Sequence, residues 1–145
     1  MYTMQVKVDN PVLWPERAHP TDAGADLRCN EDWLLGPGES HLFDTGVAVA
    51  IPKDFVGLVF NRSSQGKVNV QIANGTGVID SDYRGNIKVL LRNTDHYNHY
   101  KVEAYKTKIA QLVIVPIILP EFVPYTGDNW FNTERGAGGF GSTGA

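Results

Sequence analysis

Residues 45–60 read TGVAVAIPKDFVGLVF, and this stretch decides the fold class. Two apolar runs rich in β-branched residues, 45–51 and 55–60, lie on either side of the turn residues Pro52, Lys53 and Asp54. Each run is shorter than a typical helix and has the length of a strand. The stretch therefore predicts two short strands joined by a turn.

Similar runs recur along the chain, and no window has apolar residues at a sustained helical spacing. Further strands are predicted at residues 4–8, 25–29, 68–72, 86–93 and 108–118. Residues 89–91 are apolar on both faces of their strand, which predicts burial on both sides. Many short strands separated by turn residues are typical of an all-β sandwich or barrel.

Length and composition limit the functional classes. A chain of 145 residues has the size of one domain. Its net charge of −3 argues against a basic surface that binds nucleic acid directly. The longest apolar stretch, residues 109–119, is shorter than the roughly 20 residues of a membrane span. No signal peptide is recognisable and Cys29 is the one cysteine, so we expect a cytoplasmic protein without disulfides or membrane contact.

The tail, residues 135–145, is rich in glycine and is expected to be mobile until a ligand orders it. Its spacing of glycines does not form a Rossmann motif, because only four residues follow Gly141. Arg135 can clamp a phosphate, consecutive backbone N–H groups can bind an anion, and Phe140 can stack on a base. We therefore prefer a lid over a nucleotide to a merely disordered terminus. Trp130-Phe131, just before the tail, is expected to anchor it by packing.

Residues 74–85 read NGTGVIDSDYRG, a Gly- and Asp-rich bend between β segments, and predict a hairpin. Asp80 directly follows the apolar pair Val78-Ile79. A carboxylate at the edge of an apolar wall is a candidate general base. The alternative is an ordinary hairpin in which Asp80 and Asp82 bind turn amides.

Three further positions give weaker signals. Arg62-Ser63-Ser64 follows the strand at 55–60, and a cation with two hydroxyls suits phosphate oxygens, although such a sequence is common in surface loops. Asp26 lies near a turn and is suited either to a hard cation such as Mg²⁺ or to the turn itself. Gln111 is a polar residue among apolar neighbours, as a buried and hydrogen-bonded glutamine would be.

Five segments of the chain resemble, in order, the five motifs of the trimeric dUTPase family: residues 22–27, 60–65, 74–85, 108–112 and 135–144. The third and fifth are the most specific. The resemblance implies a jelly-roll-like all-β domain over residues 1–134, with residues 135–145 as a mobile lid. It also implies a homotrimer with active sites shared between subunits. The implied enzyme is a Mg²⁺-dependent dUTP diphosphatase, which limits uracil incorporation into DNA and supplies dUMP for dTMP synthesis.

The resemblance also implies roles for single residues. Asp80 matches the residue that activates water for in-line attack on the α-phosphorus, and Asp26 matches a group that holds Mg²⁺ through water. The positions that match contacts to uracil and deoxyribose are Asn74, Gly77, Val78, Ile79, Tyr83, Lys88 and Phe140. The positions that match phosphate contacts are Arg62, Ser63, Ser64, Gln111, Arg135, Gly141, Ser142 and Thr143.

Some positions depart from the family pattern. Asn61 and Ser64 replace the usual Pro and Gly of the second motif, Gln65-Gly66-Lys67 replaces the usual Leu-Ala, and Lys106-Thr107 replaces a Gly-Asp before the fourth motif. Arg62-Ser63-Ser64 also resembles the second motif of the related dCTP deaminases. Such an enzyme would carry a catalytic Glu in the third-motif region, and residues 74–85 contain none. The other alternative is a regulatory binding module that keeps the fold without turnover.

Overall fold

The computed structural model describes residues 2–141 and residue 144, and the regular secondary structure of this part of the chain is almost entirely β. It contains strands that we number in chain order: β1 (Gln5–Val8), β2 (Ala25–Leu27), β3 (Trp33–Leu35), β4 (Ser40–Asp44), β5 (Val47–Ala50), β6 (Phe55–Phe60), β7 (Val70–Ile72), β8 (Gly77–Ile79), β9 (Lys88–Asn93), β10 (Tyr100–Val102) and β11 (Ala110–Pro116). The short 3-10 helices Pro11–Leu13 and Ser63–Val68 lie between strands. The predicted all-β class is confirmed.

All strand pairs are antiparallel. The larger sheet has the order β2-β11-β6-β8, and a three-stranded sheet has the order β4-β9-β7. Two smaller pairs, β1 with β5 and β3 with β10, complete the body. Because β11 lies between β2 and β6, residues far apart in sequence meet at one end of the larger sheet.

The core receives side chains from both sheets and from both smaller pairs. Fully or almost fully buried members are Leu27, Leu35, Phe43, Val47, Val59, Ile72, Val89, Leu91, Val102 and Leu112. Each such side chain stabilises the fold by about 1.5–3 kcal/mol relative to exposure. The alternation of buried and exposed residues in β7 and β9 follows from the two-residue period of a strand.

The strand prediction at residues 55–60 is confirmed with its bounds, and the other predicted strands are present but shorter. The sequence reading missed β3, β4, β8 and β10: β3 and β8 are only three residues long, and β4 and β10 mix polar with apolar residues. The prediction that residues 89–91 are buried on both sides is wrong. Leu90 is half-buried, and its neighbours on the same face, Lys88 and Arg92, are exposed. That face of the three-stranded sheet is uncovered within one chain.

The hairpin predicted around residues 74–85 is more complex than expected. The strands on either side, β7 and β9, do pair with each other. Between them, however, β8 leaves this sheet and pairs with β6 in the larger one. The segment therefore bridges the two sheets, and β8 becomes an edge strand because β6 alone pairs with it.

After β11 the chain leaves the body. The backbone N–H of Ile117 donates to Asp54 O at 2.9 Å, and within the described residues every later hydrogen bond joins two residues beyond this point. We call residues 118–134 the arm. Its apolar side chains are exposed, including Phe122 at 94%. The expectation that Trp130 and Phe131 anchor the tail by packing is wrong within one chain: both are exposed, and Trp130 contacts the ring of Tyr125 on the arm itself.

Candidate active site

The end of the larger sheet brings together residues predicted to bind phosphate and metal. Gln111 on β11 lies opposite Asp26 on β2 and opposite Phe60 on β6. Arg62 is the second residue after β6, and its side chain enters the same region. Gly24 lies against Gln111, because a Cβ there would clash with Gln111 Oε1 unless that amide moved.

The Arg62 side chain is held by an ion pair and a hydrogen bond. Its Nε donates to Asp26 Oδ1 at 2.7 Å, and its Nη1 donates to Ser64 Oγ at 3.3 Å. The other oxygen of Asp26 lies 3.3 Å from Lys108 Nζ. The Asp26 side chain is only 12% exposed, so its ion pairs are less screened by water than surface pairs are. One carboxylate therefore orients two cations at the edge of the site.

The loop that carries Arg62 is tied to its surroundings through side-chain amides. Asn61 Oδ1 accepts from Ile72 N at 2.7 Å, which joins the end of β6 to β7 in the other sheet. The carbonyl of Asn61 accepts from Gln111 Nε2 at 2.9 Å. Gln65 is buried and bonds to the backbone of Arg62 and Ile109. The departure Asn61 thus leaves the loop firmly held, because its side chain supplies a bond that a proline could not.

A cavity of about 390 Å³ opens beside these residues. Its lining includes Gly24, Asp26, Arg62, Ser63 and Gln111. It is a polar cavity with a guanidinium, a hydroxyl and an amide directed to one place, which suits the oxygens of a phosphate chain. The structure therefore brings together four of the residues predicted to bind phosphate or metal: Asp26, Arg62, Ser63 and Gln111.

Asp26 limits how a metal ion could bind here. Both of its oxygens already face cations, but a carboxylate has about four acceptor positions, so it can also accept a hydrogen bond from a metal-bound water. No group of three or more His, Cys, Asp or Glu side chains able to hold a metal occurs within residues 2–141. These residues fit a Mg²⁺ ion held through water and carried mainly by substrate phosphates.

The third-motif residues form a second cluster on and after β8. Gly77, Val78 and Ile79 form the edge strand, and its outer edge presents backbone N–H and C=O groups that no neighbouring strand pairs. Val78 is 63% exposed. Asn74 and Asp80, just before and just after this stretch, are both exposed. This edge can hydrogen-bond a flat ligand that has both donors and acceptors.

A tight turn follows the strand and positions Tyr83. The N–H of Tyr83 donates to Asp80 O at 3.1 Å, and the phenol hydroxyl donates to Asn86 O at 2.9 Å. Gly85 leaves room for this ring, since a Cβ there would lie 2.5 Å from the hydroxyl. The ring is therefore fixed beside Asp80, while 42% of its surface stays exposed.

The two clusters are far apart within one chain. Because the register pairs Ile79 with Gly57, Asp80 lies level with Val56 near the start of β6. Arg62 follows the other end of that strand, so the two residues are separated by roughly 20 Å along it at about 3.3 Å per residue. A base and a phosphate-binding arginine must both reach one phosphate chain. A single chain therefore does not bring Asp80 and Arg62 together.

The remaining predicted residues lie outside both clusters. Lys88 is exposed on β9 of the other sheet, opposite Asp44. Arg135 Nε donates to Gly138 O at 2.7 Å within the tail, and Phe140 is fully exposed. Gly141 has a positive φ of 80°. The predictions for Ser142 and Thr143 lie outside the described residues.

Two groups near the core are titratable but buried. Burial raises the pKa of the Cys29 thiol, so its thiolate is disfavoured and it has the character of a small apolar residue. Burial likewise raises the pKa of Tyr100, and Arg62 opposes that effect. Neither residue is suited to act as a nucleophile at neutral pH.

Sequence reasoning missed three residues that shape the phosphate end: Asn61, Gln65 and Lys108. Asn61 and Gln65 had been noticed only as departures from a motif. Lys108 belongs to the fourth-motif segment, but nothing in that segment indicates that its ammonium group reaches Asp26. Those contacts depend on the pairing of β2 with β11, which a single sequence does not reveal.

An all-β body with a phosphate-type cavity at one end of the larger sheet and an open strand edge toward the other is suited to bind a nucleotide. The family model described as dUTPase matches residues 10–144. The curated relatives include the deoxyuridine 5'-triphosphate nucleotidohydrolase of Cutibacterium acnes, which is 47% identical over 92% of this chain and 87% of its own length. That of Mycolicibacterium gilvum is 43% identical over 96% of this chain and 92% of its own length. The chain belongs to the dUTPase family, and the enzyme class predicted from its sequence, a dUTP diphosphatase, is confirmed.

Solved structures agree with the fold. A Staphylococcus bacteriophage 80alpha dUTPase with dUpNHpp has a TM-score of 0.85 at 32% identity, covering 100% of both chains. The dUTPase of phage phi11 of S. aureus has a TM-score of 0.79 at 32% identity, covering 88% of this chain and 99% of its own, and that structure coordinates a structural Mg(II) ion. The jelly-roll-like architecture is confirmed. In the described residues, no helix has the length and apolar character that crossing a membrane requires.

Proposed function

We propose that this protein hydrolyses dUTP to dUMP and pyrophosphate. The observation that carries the proposal is the cavity where Arg62, Ser63 and Gln111 converge, in a chain that belongs to the dUTPase family. The 80alpha relative was solved with dUpNHpp, a dUTP analogue. By this proposal the enzyme limits uracil incorporation into DNA and supplies dUMP for dTMP synthesis.

Asp80 is the proposed general base. It is exposed at the end of β8, where it can accept a proton from a water molecule. The water oxygen forms a bond to the α-phosphorus, the bond from that phosphorus to the bridging oxygen breaks, and pyrophosphate leaves. The proton goes to the Asp80 carboxylate and from there to solvent.

Selection of uracil is proposed to rest on the open edge of β8. Backbone groups of Gly77 to Ile79 and the Asn74 side chain pair with the base edge. A site built to hydrogen-bond the C4 carbonyl of uracil leaves groups unpaired when cytosine presents an amine. Tyr83 is proposed to pack beneath deoxyribose and to leave no room for a ribose 2′-hydroxyl. Lys88, on the returning strand β9, is proposed as a further contact at the pyrimidine end.

The phosphate chain is proposed to lie in the cavity beside Arg62, Ser63, Ser64 and Gln111. A Mg²⁺ ion held through water by Asp26 would neutralise charge on the phosphates. The tail, residues 135–145, is proposed to close over the bound triphosphate. Phe140 then stacks on the base, and the phosphate oxygens are contacted by Arg135, Gly141, Ser142 and Thr143. Closure excludes bulk water from the reacting phosphate.

The separation of Asp80 from Arg62 supports a homotrimer with active sites shared between subunits. If one chain does not bring the base to the phosphate site, a neighbouring copy must supply one of them. The exposed arm, with Phe122 and Trp130 uncovered, is consistent with burial against another copy. Light scattering should give a mass near three times the 16.0 kDa subunit.

A mixing experiment tests the sharing of sites. An Asp80→Asn protein and a protein lacking residues 135–145 should each be inactive, and partial activity should return when they are unfolded together and refolded. Each protein refolded alone is the control. A fully active monomer, or no recovery in mixtures shown by mass to contain both chains, contradicts shared sites.

A product assay tests the reaction itself. The protein is incubated with Mg²⁺ and dUTP, dCTP, dTTP or UTP in turn, and products are separated by chromatography. We expect dUMP and pyrophosphate from dUTP alone. Formation of dUTP from dCTP would identify a deaminase, and binding of dUTP without any product would identify a regulatory module.

A further inference from the structure

Gln65 is one of three polar or charged residues classed as buried within the described chain, together with Thr45 and Asn93. Its side chain is 2% exposed, and both polar atoms of its amide are used. Oε1 accepts from the backbone N–H of Arg62, and Nε2 donates to Ile109 O at 2.9 Å. A buried amide is costly unless it is hydrogen-bonded, so these two bonds fix its orientation.

The same glutamine holds both backbone polar groups of Arg62. The N–H of Arg62 donates to the Gln65 side chain, and the carbonyl of Arg62 accepts from Gln65 N at 3.0 Å. Farther out, the Arg62 guanidinium is held by Asp26 at 2.7 Å. Backbone and side chain of this arginine are therefore fixed independently, before any ligand binds.

The bond to Ile109 extends this hold to the start of β11. Lys108, which precedes Ile109, is the second cation on Asp26, and Gln111, two residues later, lines the cavity. Gln65 thus adds a second tie between the loop that carries Arg62 and β11, beside the bond from Gln111 Nε2 to Asn61 O. Because it is buried beneath the loop, it cannot itself contact a nucleotide.

We propose that Gln65 is a positioning residue that acts on the triphosphate through Arg62; this inference rests on the proposed function. The second motif of related enzymes usually has leucine here, so the glutamine is a feature of this chain. A leucine fills the space but leaves the Arg62 N–H and the Ile109 carbonyl without these partners. Arg62 would then have to be ordered when the nucleotide binds, which weakens binding of the phosphates but not of the nucleoside.

The test compares the affinities of two ligands, dUpNHpp and deoxyuridine, measured as inhibition constants against dUTP hydrolysis. Gln65→Leu should bind dUpNHpp roughly 5- to 30-fold more weakly than the parent, the factor for one buried hydrogen bond, and deoxyuridine equally well. Asn93→Leu is the matched control, because Asn93 is also a buried amide, bonded to Leu35 O and Asn98 O. It should lower Tm without changing the ratio of the two affinities.

A double-mutant cycle separates positioning from general destabilisation. If Gln65 acts through Arg62, then Gln65→Leu should change the dUpNHpp affinity by less than about twofold when Arg62 is already alanine. An equal loss in both backgrounds overturns the inference. Should the leucine variant not fold, Gln65→Met replaces it: its unbranched side chain fills a similar volume and removes the same two hydrogen bonds, so weaker dUpNHpp binding supports the inference and parent affinity overturns it.

The outcomes distinguish this inference from the proposed function. If the parent protein neither hydrolyses dUTP nor binds dUpNHpp, the proposed function is wrong, and the inference is wrong with it. If the parent does both and Gln65→Leu binds dUpNHpp as tightly as the parent, only the inference is wrong.

Discussion

Arg62 and Arg135 are both predicted to bind phosphate, yet the structure holds them in opposite ways. Arg62 is tied at its backbone by Gln65 and at its guanidinium by Asp26, and its side chain is 28% exposed. Within the described residues, Arg135 bonds only to Gly138, three residues along the same exposed tail. One arginine is positioned before a ligand arrives, and the other has to be ordered by the ligand or by another chain.

This difference indicates how the proposed site divides its work. A fixed arginine binds substrate and transition state without an ordering cost, whereas a tail of eleven residues loses roughly 1–2 kcal/mol of backbone entropy per residue on closing. We therefore expect the tail to close fully only in the transition state. Contacts made on closing then raise kcat more than they raise the affinity for substrate. The following predictions test this division, beginning with the largest expected effect.

Asp80→Asn should lower kcat by about 10²–10⁴ while dUpNHpp binds as before, because an amide keeps the shape of the carboxylate but cannot accept the proton. The measurement is kcat for dUTP together with the affinity for the analogue. Asp82→Asn, two residues away in the same exposed turn, is the control. A variant with near-parent turnover would show that Asp80 is not the general base. The division of work between the two arginines would then have to be reconsidered.

Deleting residues 135–145 should lower kcat by about 10²–10³, the scale of losing one hydrogen-bond donor to developing charge. Tm should stay unchanged, because within the described residues the tail has no hydrogen bond to the body. Steady-state kinetics and a thermal melt measure the two effects. A truncated protein that turns over dUTP at the parent rate shows that the tail is not a lid.

Alanine at each arginine gives the most direct comparison. Arg62→Ala should weaken dUpNHpp binding and also lower the free energy of unfolding by about 1–2 kcal/mol, because Asp26 then loses a charge-assisted hydrogen bond. Arg135→Ala should lower kcat nearly as much as the deletion and leave the free energy of unfolding unchanged. Urea titrations of both variants measure stability. Equal stability of the two variants contradicts the distinction between a fixed and a free arginine.

The sequence predicted one side of this comparison better than the other. The apolar runs and turn residues of 45–60 were enough for β5 and β6, and the motif residues were enough for the family. The contacts that fix Arg62 were not predictable, because they depend on β11 lying between β2 and β6. Pairing partners far apart in sequence leave no local pattern, and neither Gln65 nor Lys108 has a distinctive neighbour in the chain.

The same limitation explains the errors. Residues 89–91 look buried on both faces because all three are apolar, but the sheet packs on only one face within a chain, so Leu90 remains half-buried. Trp130 and Phe131 look like packing anchors because large aromatic side chains usually pack, but the arm leaves the body after Ile117. Each error concerns which part of the protein packs against a given surface. Neither error concerns which type of secondary structure forms.

The smallest expected effect concerns a loop that is exposed but held by several hydrogen bonds. It tests whether an exposed segment can be as well fixed as a buried one. Asp95 lies in the loop between β9 and β10, and its carboxylate accepts from the N–H groups of Tyr97 and Asn98, both at 2.8 Å, and from Asn69 Nδ2 at 3.1 Å. These hydrogen bonds, led by the one from Tyr97, hold the pKa of Asp95 well below its ordinary value of 3.8.

A lowered folded-state pKa stabilises the protein above the ordinary pKa, and the contribution is lost as the pH falls through the folded value. The free energy of unfolding of the parent should therefore fall more steeply than that of Asp95→Asn as the pH drops below about 4. The two curves should approach each other as the pH falls, because a protonated carboxyl and an amide are alike in charge. Urea titrations at pH 7, 5, 3 and 2 give both curves. Parallel curves would show that the hydrogen bonds of Asp95 do not hold this exposed loop. The loop would then be no better held than the tail that carries Arg135.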